Sequence, residues 1–140
     1  MAKAVNKIYK RDLYAPEPPK KEDTIQLVQG IMPDSIQEWW GSLALDKLGI
    51  EYKFQVPFFG GNYFPGGTIV DWLVPQGTIP TPLYFMGDYY HQGEQQEKDM
   101  LIAGKFALEL KGQVAEPQYI WEHEASTYQQ IFDKIKELFI

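Results

Sequence analysis

Seven residues, Thr68-Ile69-Val70-Asp71-Trp72-Leu73-Val74, constrain this chain more than any others. Bracketed by Gly66-Gly67 and Pro75, they are β-branched, aromatic or aliphatic at every position but one, the composition of a strand set into a sheet. The exception is Asp71. A carboxylate among Val70, Trp72 and Leu73 is costly to bury unless it is hydrogen-bonded, paired or bound to a cation. The bland alternative is a half-exposed strand on which Asp71 faces water.

The flanking sequence supplies the elements such a strand needs. Ser35 with Glu38 three residues later forms a capping-box pattern, so a helix begins at about Asp34, carries Ile36, Trp40, Leu43 and Leu48 near one face, and stops at Gly49. Tyr52 to Val56 alternates like a half-buried strand and ends at Pro57. Gly60-Gly61 and Gly66-Gly67 then frame a hairpin loop bearing Phe58, Phe59, Tyr63 and Phe64. After Thr68–Val74, the turn formers Pro75-Gln76-Gly77 and Pro80 introduce a third strand, Leu83 to Asp88. Both of these strands read as central.

A helix follows from about Glu94 to Lys111, with Met100, Leu101, Phe106 or Ala107, Leu108 and Leu110 as its apolar side and Gly112 at its end. Gln118 to Trp121 makes a fourth strand, and the preceding Pro117 suits an edge. A last helix spans Ser126 to Ile140, with Ser126 and Gln129 as a second capping box and Ile131, Ile135, Leu138 and Phe139 as its stripe. The expected fold is therefore α/β: a mixed four-stranded sheet flanked by helices, in the order helix, three strands, helix, strand, with an added C-terminal helix. Trp40, Leu43, Ile69, Leu73, Phe85, Leu101, Leu108, Ile120 and Ile135 are expected in its core.

With 140 residues, 44% of them hydrophobic, the chain can bury one core without staples. The absence of cysteine excludes disulfides, thiolate zinc sites and thiol nucleophiles, and fits a reducing, cytoplasmic setting. No apolar stretch reaches membrane-spanning length, so no membrane partner is expected. Charge divides the chain in two. Residues 1–23 hold six Lys/Arg against four acids and include Ala15-Pro16-Glu17-Pro18-Pro19, whereas residues 24–140 hold seven lysines against fifteen acids, near −8, with no arginine after Arg11. The first segment reads as a basic, proline-rich extended arm, with Tyr9, Leu13 and Tyr14 as apolar anchors for its own body, a protein partner or another copy. The second reads as one α/β domain whose acidity is unusual for a protein that grips phosphates.

Several segments in order resemble a known family: Glu38-Trp39-Trp40, Leu48-Gly49-Ile50 with Phe54-Gln55-Val56-Pro57, Gly66 to Val74, and Phe85-Met86-Gly87-Asp88-Tyr89-Tyr90-His91. The pattern continues through Glu97-Lys98-Asp99 and Leu110-Lys111-Gly112 to Ile120-Trp121-Glu122, covering roughly residues 35 to 125. It looks like the very-short-patch mismatch-repair endonucleases and their small phage-type relatives, within the restriction-endonuclease-like (PD-(D/E)XK) superfamily. The resemblance implies a metal-dependent DNA endonuclease in which Asp71 binds a catalytic Mg2+, Glu38 assists the metal, Asp88 adds a carboxylate, and His91 orients or deprotonates the attacking water. This sequence departs from the pattern in two places: Tyr90 stands where the superfamily motif would place a lysine, and without cysteine no structural zinc is held.

Each candidate also has a plainer reading, with Glu38 as a helix cap, His91 as the start of a loop and His123 as a solvated turn residue. A second class of function therefore stands beside the first. It is a non-catalytic binding or assembly protein that keeps the nuclease fold, such as a phage structural or head-completion component associated with the virion.

Overall fold

The computed structural model describes residues 24–61, 66–87 and 94–140, with residues 94–100 as helix backbone only. The N-terminal arm, Tyr63, Phe64, Asp88 and His91 lie outside the described residues. The element order is α1 (Ile36–Lys47), β1 (Lys53–Phe58), β2 (Thr68–Val74), β3 (Thr81–Met86), α2 (Glu94–Glu109), β4 (Gln118–Trp121) and α3 (Tyr128–Phe139). Among the described residues the fold is α/β, with a four-stranded mixed sheet of spatial order β1-β2-β3-β4 and three helices. β1, β2 and β3 are antiparallel neighbours, as short connections allow, while β4 joins β3 in parallel after the α2 crossover. Among the described residues no helix is long and apolar enough to cross a membrane.

The two faces of the sheet are covered differently. On one face Phe54, Trp72, Val74, Leu83 and Ile120 pack under α1 and α3 with Trp39, Trp40, Leu45, Ile131, Phe132 and Ile135. Trp72 donates its indole N–H to Ser42 Oγ of α1 at 2.9 Å, so the largest buried side chain has its polar atom satisfied. Glycine at position 41 makes room for that ring, because a Cβ there would run into the indole of Trp72. On the other face Val70 and Tyr84 pack with Ile102 and Phe106 of α2, and Phe58 and Phe59 meet Phe106 edge-on at 5.1 and 5.4 Å.

Several expectations are corrected. In β2 the buried residues are Val70, Trp72 and Val74, while Ile69 and Leu73 are half-buried, so the predicted face was one residue out of register. Phe85 and Leu43 are likewise partly buried against the larger core. Leu101 and Leu108 are 72% and 85% exposed, because α2 turns Ile102 and Phe106 inward instead. β1 continues through Pro57 to Phe58, which an edge strand tolerates. β3 begins at Thr81 and ends at Met86, earlier at both ends than expected. The cap of α3 is Thr127 with Gln130, forming a complete capping box one residue later than predicted. Trp40, Ile120 and Ile135 are buried as expected.

The free edge of β1 is partly closed by a side chain. Gln29, itself at φ 51°, donates its amide to the Tyr52 carbonyl at 2.7 Å and accepts from the Phe54 N–H at 3.0 Å. One carboxamide thereby makes the two bonds that a neighbouring strand would make.

Candidate metal centre

Glu38 owes its position to the start of α1. Ser35 is the N-cap, its hydroxyl accepts from the Glu38 N–H at 3.2 Å, and the same hydroxyl donates to Glu38 Oε2 at 3.4 Å. Glu38 is only 7% exposed, because its side chain turns toward the sheet rather than to water. There it meets Asp71 of β2, close enough for the negative charge of Glu38 to act on the Asp71 carboxyl. Asp71 is half-buried by surface, but its carboxyl is enclosed between Glu38 and the backbone of β3, where Oδ2 accepts from the Phe85 N–H at 2.7 Å.

The sheet is irregular at this point. The β1–β2 ladder runs through Lys53–Leu73 and Phe54–Trp72, then resumes at Val56–Val70, so Gln55 and Asp71 face each other without forming a ladder pair. Gln55 has φ 51°, a left-handed conformation rare in mid-strand for a residue with a Cβ. The β2–β3 ladder is recorded from Val74–Thr81 to Trp72–Leu83, and beyond it the Asp71 carboxyl takes the next backbone donor of β3. Val70 and Trp72 consequently join different cores, although they are two residues apart. The Gln55 amide makes long hydrogen bonds to Glu38 Oε1 at 3.4 Å and to Asp34 Oδ2 at 3.5 Å.

Two buried acids at close quarters resist ionising together. Burial first, then the negative charge of Glu38, pushes the Asp71 carboxyl well above the usual carboxylate range. Burial, with Asp34 nearby, pushes Glu38 up to about 6. Both shifts run upward, so the pair gives up its protons less readily than two free carboxyls and titrates as a coupled unit. No described lysine is ion-paired with either acid; the described ion pairs are His123–Glu124 at 3.7 Å and Lys134–Glu137 at 4.0 Å.

Of the four predicted site residues, the structure brings Glu38 and Asp71 together, while Asp88 and His91 lie outside the described residues. Glu38 is thus both a first-turn residue stabilised by its N-cap and a member of the carboxyl pair. His123 is an exposed turn residue, as expected. Sequence reasoning missed Gln55, whose polar side chain looked like the solvent-facing half of an alternating strand. The available signal was pairing arithmetic, since the β1–β2 hairpin register sets it opposite Asp71.

Among the described residues no group of three or more His, Cys, Asp or Glu side chains converges as a ready-made metal cage. Two carboxylates and an amide nevertheless suit Mg2+, which commonly keeps several waters and takes one or two protein carboxylates together with substrate phosphate oxygens. Compared with protein-family models, with curated proteins and with solved structures, the chain gives no match.

Proposed function

We propose that this chain is a metal-dependent DNA endonuclease of restriction-endonuclease-like build, hydrolysing phosphodiester bonds at a Mg2+ centre held by Glu38 and Asp71. The observation that carries this reading is the pair of neighbouring carboxyls, Glu38 and Asp71, enclosed where β2 leaves regular pairing on both sides and accompanied by no described cationic side chain. A hard cation would offset the burial and mutual repulsion that push both carboxyls upward. The element order supports the same reading, with an antiparallel β1-β2-β3 meander between two helices and β4 parallel to β3.

A bound Mg2+ would polarise a phosphoryl oxygen and lower the pKa of a coordinated water. Glu38 and Asp71 would hold it with oxygen ligands, and the Phe85 N–H would orient Asp71 by occupying one carboxylate oxygen. His91 would serve the attacking water and Asp88 would supply a further carboxylate, roles that rest on the family resemblance.

The charge distribution favours a second reading. Residues 24–140 carry seven lysines against fifteen acids, a poor counterpart for a phosphate backbone, and a nuclease-fold assembly protein would have no need of one. Incubation of a plasmid with the full chain and Mg2+ or Mn2+ separates the two. Nicking that disappears in Asp71→Ala, by about a hundredfold or more given that such an ion supplies several kcal/mol to the transition state, is the expected result. No nicking at any cation concentration, together with unchanged self-association of Asp71→Ala, would move the reading to the assembly protein.

A further inference from the structure

Gln55 combines three features found together nowhere else among the described residues. It sits inside a strand with φ 51°, it faces Asp71 across a gap in the ladder, and its carboxamide reaches two acids at the start of α1. Left-handed backbone at a residue with a Cβ persists only where the surroundings hold it, and such outliers gather at working sites. At Gln55 the backbone turn and the side-chain reach converge on Glu38.

The geometry points to Gln55 as a positioning residue of the metal centre: its carboxamide holds Glu38, and through Glu38 the pair with Asp71, in the arrangement that receives a divalent cation. This inference rests on the metal-dependent reading above. The choice of residue type has a physical reason. A lysine in this place would neutralise the pair and compete with the cation for it, whereas a neutral amide N–H fixes a carboxylate oxygen and leaves the site its negative charge. Asp34, on the same amide, is held on the outer side of the cluster. Gln55 touches the acids rather than the reacting atoms, so it is not a catalytic residue.

The test uses the full chain and two readouts, the rise in melting temperature with added Mn2+ or Mg2+ and the cation dependence of plasmid nicking. Gln55→Gly removes the carboxamide while suiting the left-handed backbone, so its cation-free melting temperature should be unchanged or higher. Its half-saturating cation concentration should rise about ten- to a hundredfold, the usual cost of losing a group that orients a ligand. Gln55→Asn tolerates the same backbone and keeps a shorter carboxamide, so it should recover part of the cation response. A Gln55→Gly protein whose half-saturating concentration equals that of the unmodified chain would overturn this inference while leaving the nuclease reading standing. So would a Gln55→Gly protein whose cation-free melting falls and which Gln55→Asn restores in melting alone, because that pattern marks a structural role. If the unmodified chain shows neither a cation-dependent melting shift nor nicking, the nuclease reading and this inference fall together.

Discussion

The two faces of the sheet solve the same problem with very different resources. Under α1 and α3 lies a continuous core in which Trp72, Leu45, Leu83, Ile120, Ile131, Phe132 and Ile135 are essentially inaccessible to solvent. Under α2 the fully enclosed set among the described residues is small, Val70 and Phe106 with Tyr84 and Ile102, bordered by the half-buried aromatics Phe58, Phe59 and Tyr119. Leu101 and Leu108 meanwhile point outward from the same helix. The lesson is that the first face carries the stability of the domain, and the second is a thinner layer laid on a sheet already secured. The carboxyl pair lies where β2 passes from one to the other.

A matched pair of truncations gives the largest expected effect and the most direct way to break this comparison. Phe132→Ala, in α3, should destabilise the protein by about 3–5 kcal/mol, the range for a buried phenylalanine whose cavity cannot collapse. Phe106→Ala, in α2, should cost less, about 2–3 kcal/mol, since Phe58 and Phe59 are only partly buried and can settle into the space. Equal losses in urea unfolding would show that the α2 layer is as structural as the other.

A smaller effect belongs to the boundary between the faces. An acid whose folded pKa lies above its unfolded one stabilises the fold fully at low pH, and that stability is lost as pH rises through the folded value. For Glu38, raised from 4.5 to about 6, the loss amounts to about 2 kcal/mol between roughly pH 4.5 and pH 7. Asp71, raised first by burial and then by the charge of Glu38, adds to the decline. Thermal melts without divalent cation should therefore decline across this window. Glu38→Gln should remove the Glu38 share of the decline, and saturating Mg2+ should flatten the whole profile. A cation-free profile that rises toward neutral pH would contradict the upward shift of the two acids. The smallest effect should come from Leu108→Ala, within about 0.5 kcal/mol of the original protein, because an 85% exposed side chain leaves no cavity. A larger loss would mean that the outer side of α2 is covered in solution.

The same contrast explains what the sequence made legible. β2 was found with both ends correct because glycines and a proline bracket seven residues of strong strand preference. Its buried face was not legible, since a strand covered on both sides has apolar residues at odd and even positions alike. On α2 two apolar series compete one residue apart, Leu101 with Leu108 and Ile102 with Phe106, and nothing local decides between them. At α3 the overlapping patterns Ser126-x-x-Gln129 and Thr127-x-x-Gln130 are equally good caps, and packing of Tyr128 and Phe132 selects the second. Glu38 and Asp71 could be named from sequence because acids in apolar company stand out. Gln55 could not, since its significance lies in a backbone angle and a partner across the hairpin.

The Gln29 carboxamide has a consequence for growth as well as for folding. A β-sheet with two open edges can add molecules at both ends and elongate without limit, which is how native edges become fibrils. Here Tyr52 and Phe54 already have their bonds from Gln29, and Pro57, further along the same edge, carries no N–H to offer. The β1 side is therefore a stopped end. Edge-to-edge joining through β1 would first have to break both Gln29 bonds, so the sheet resists growth on that side.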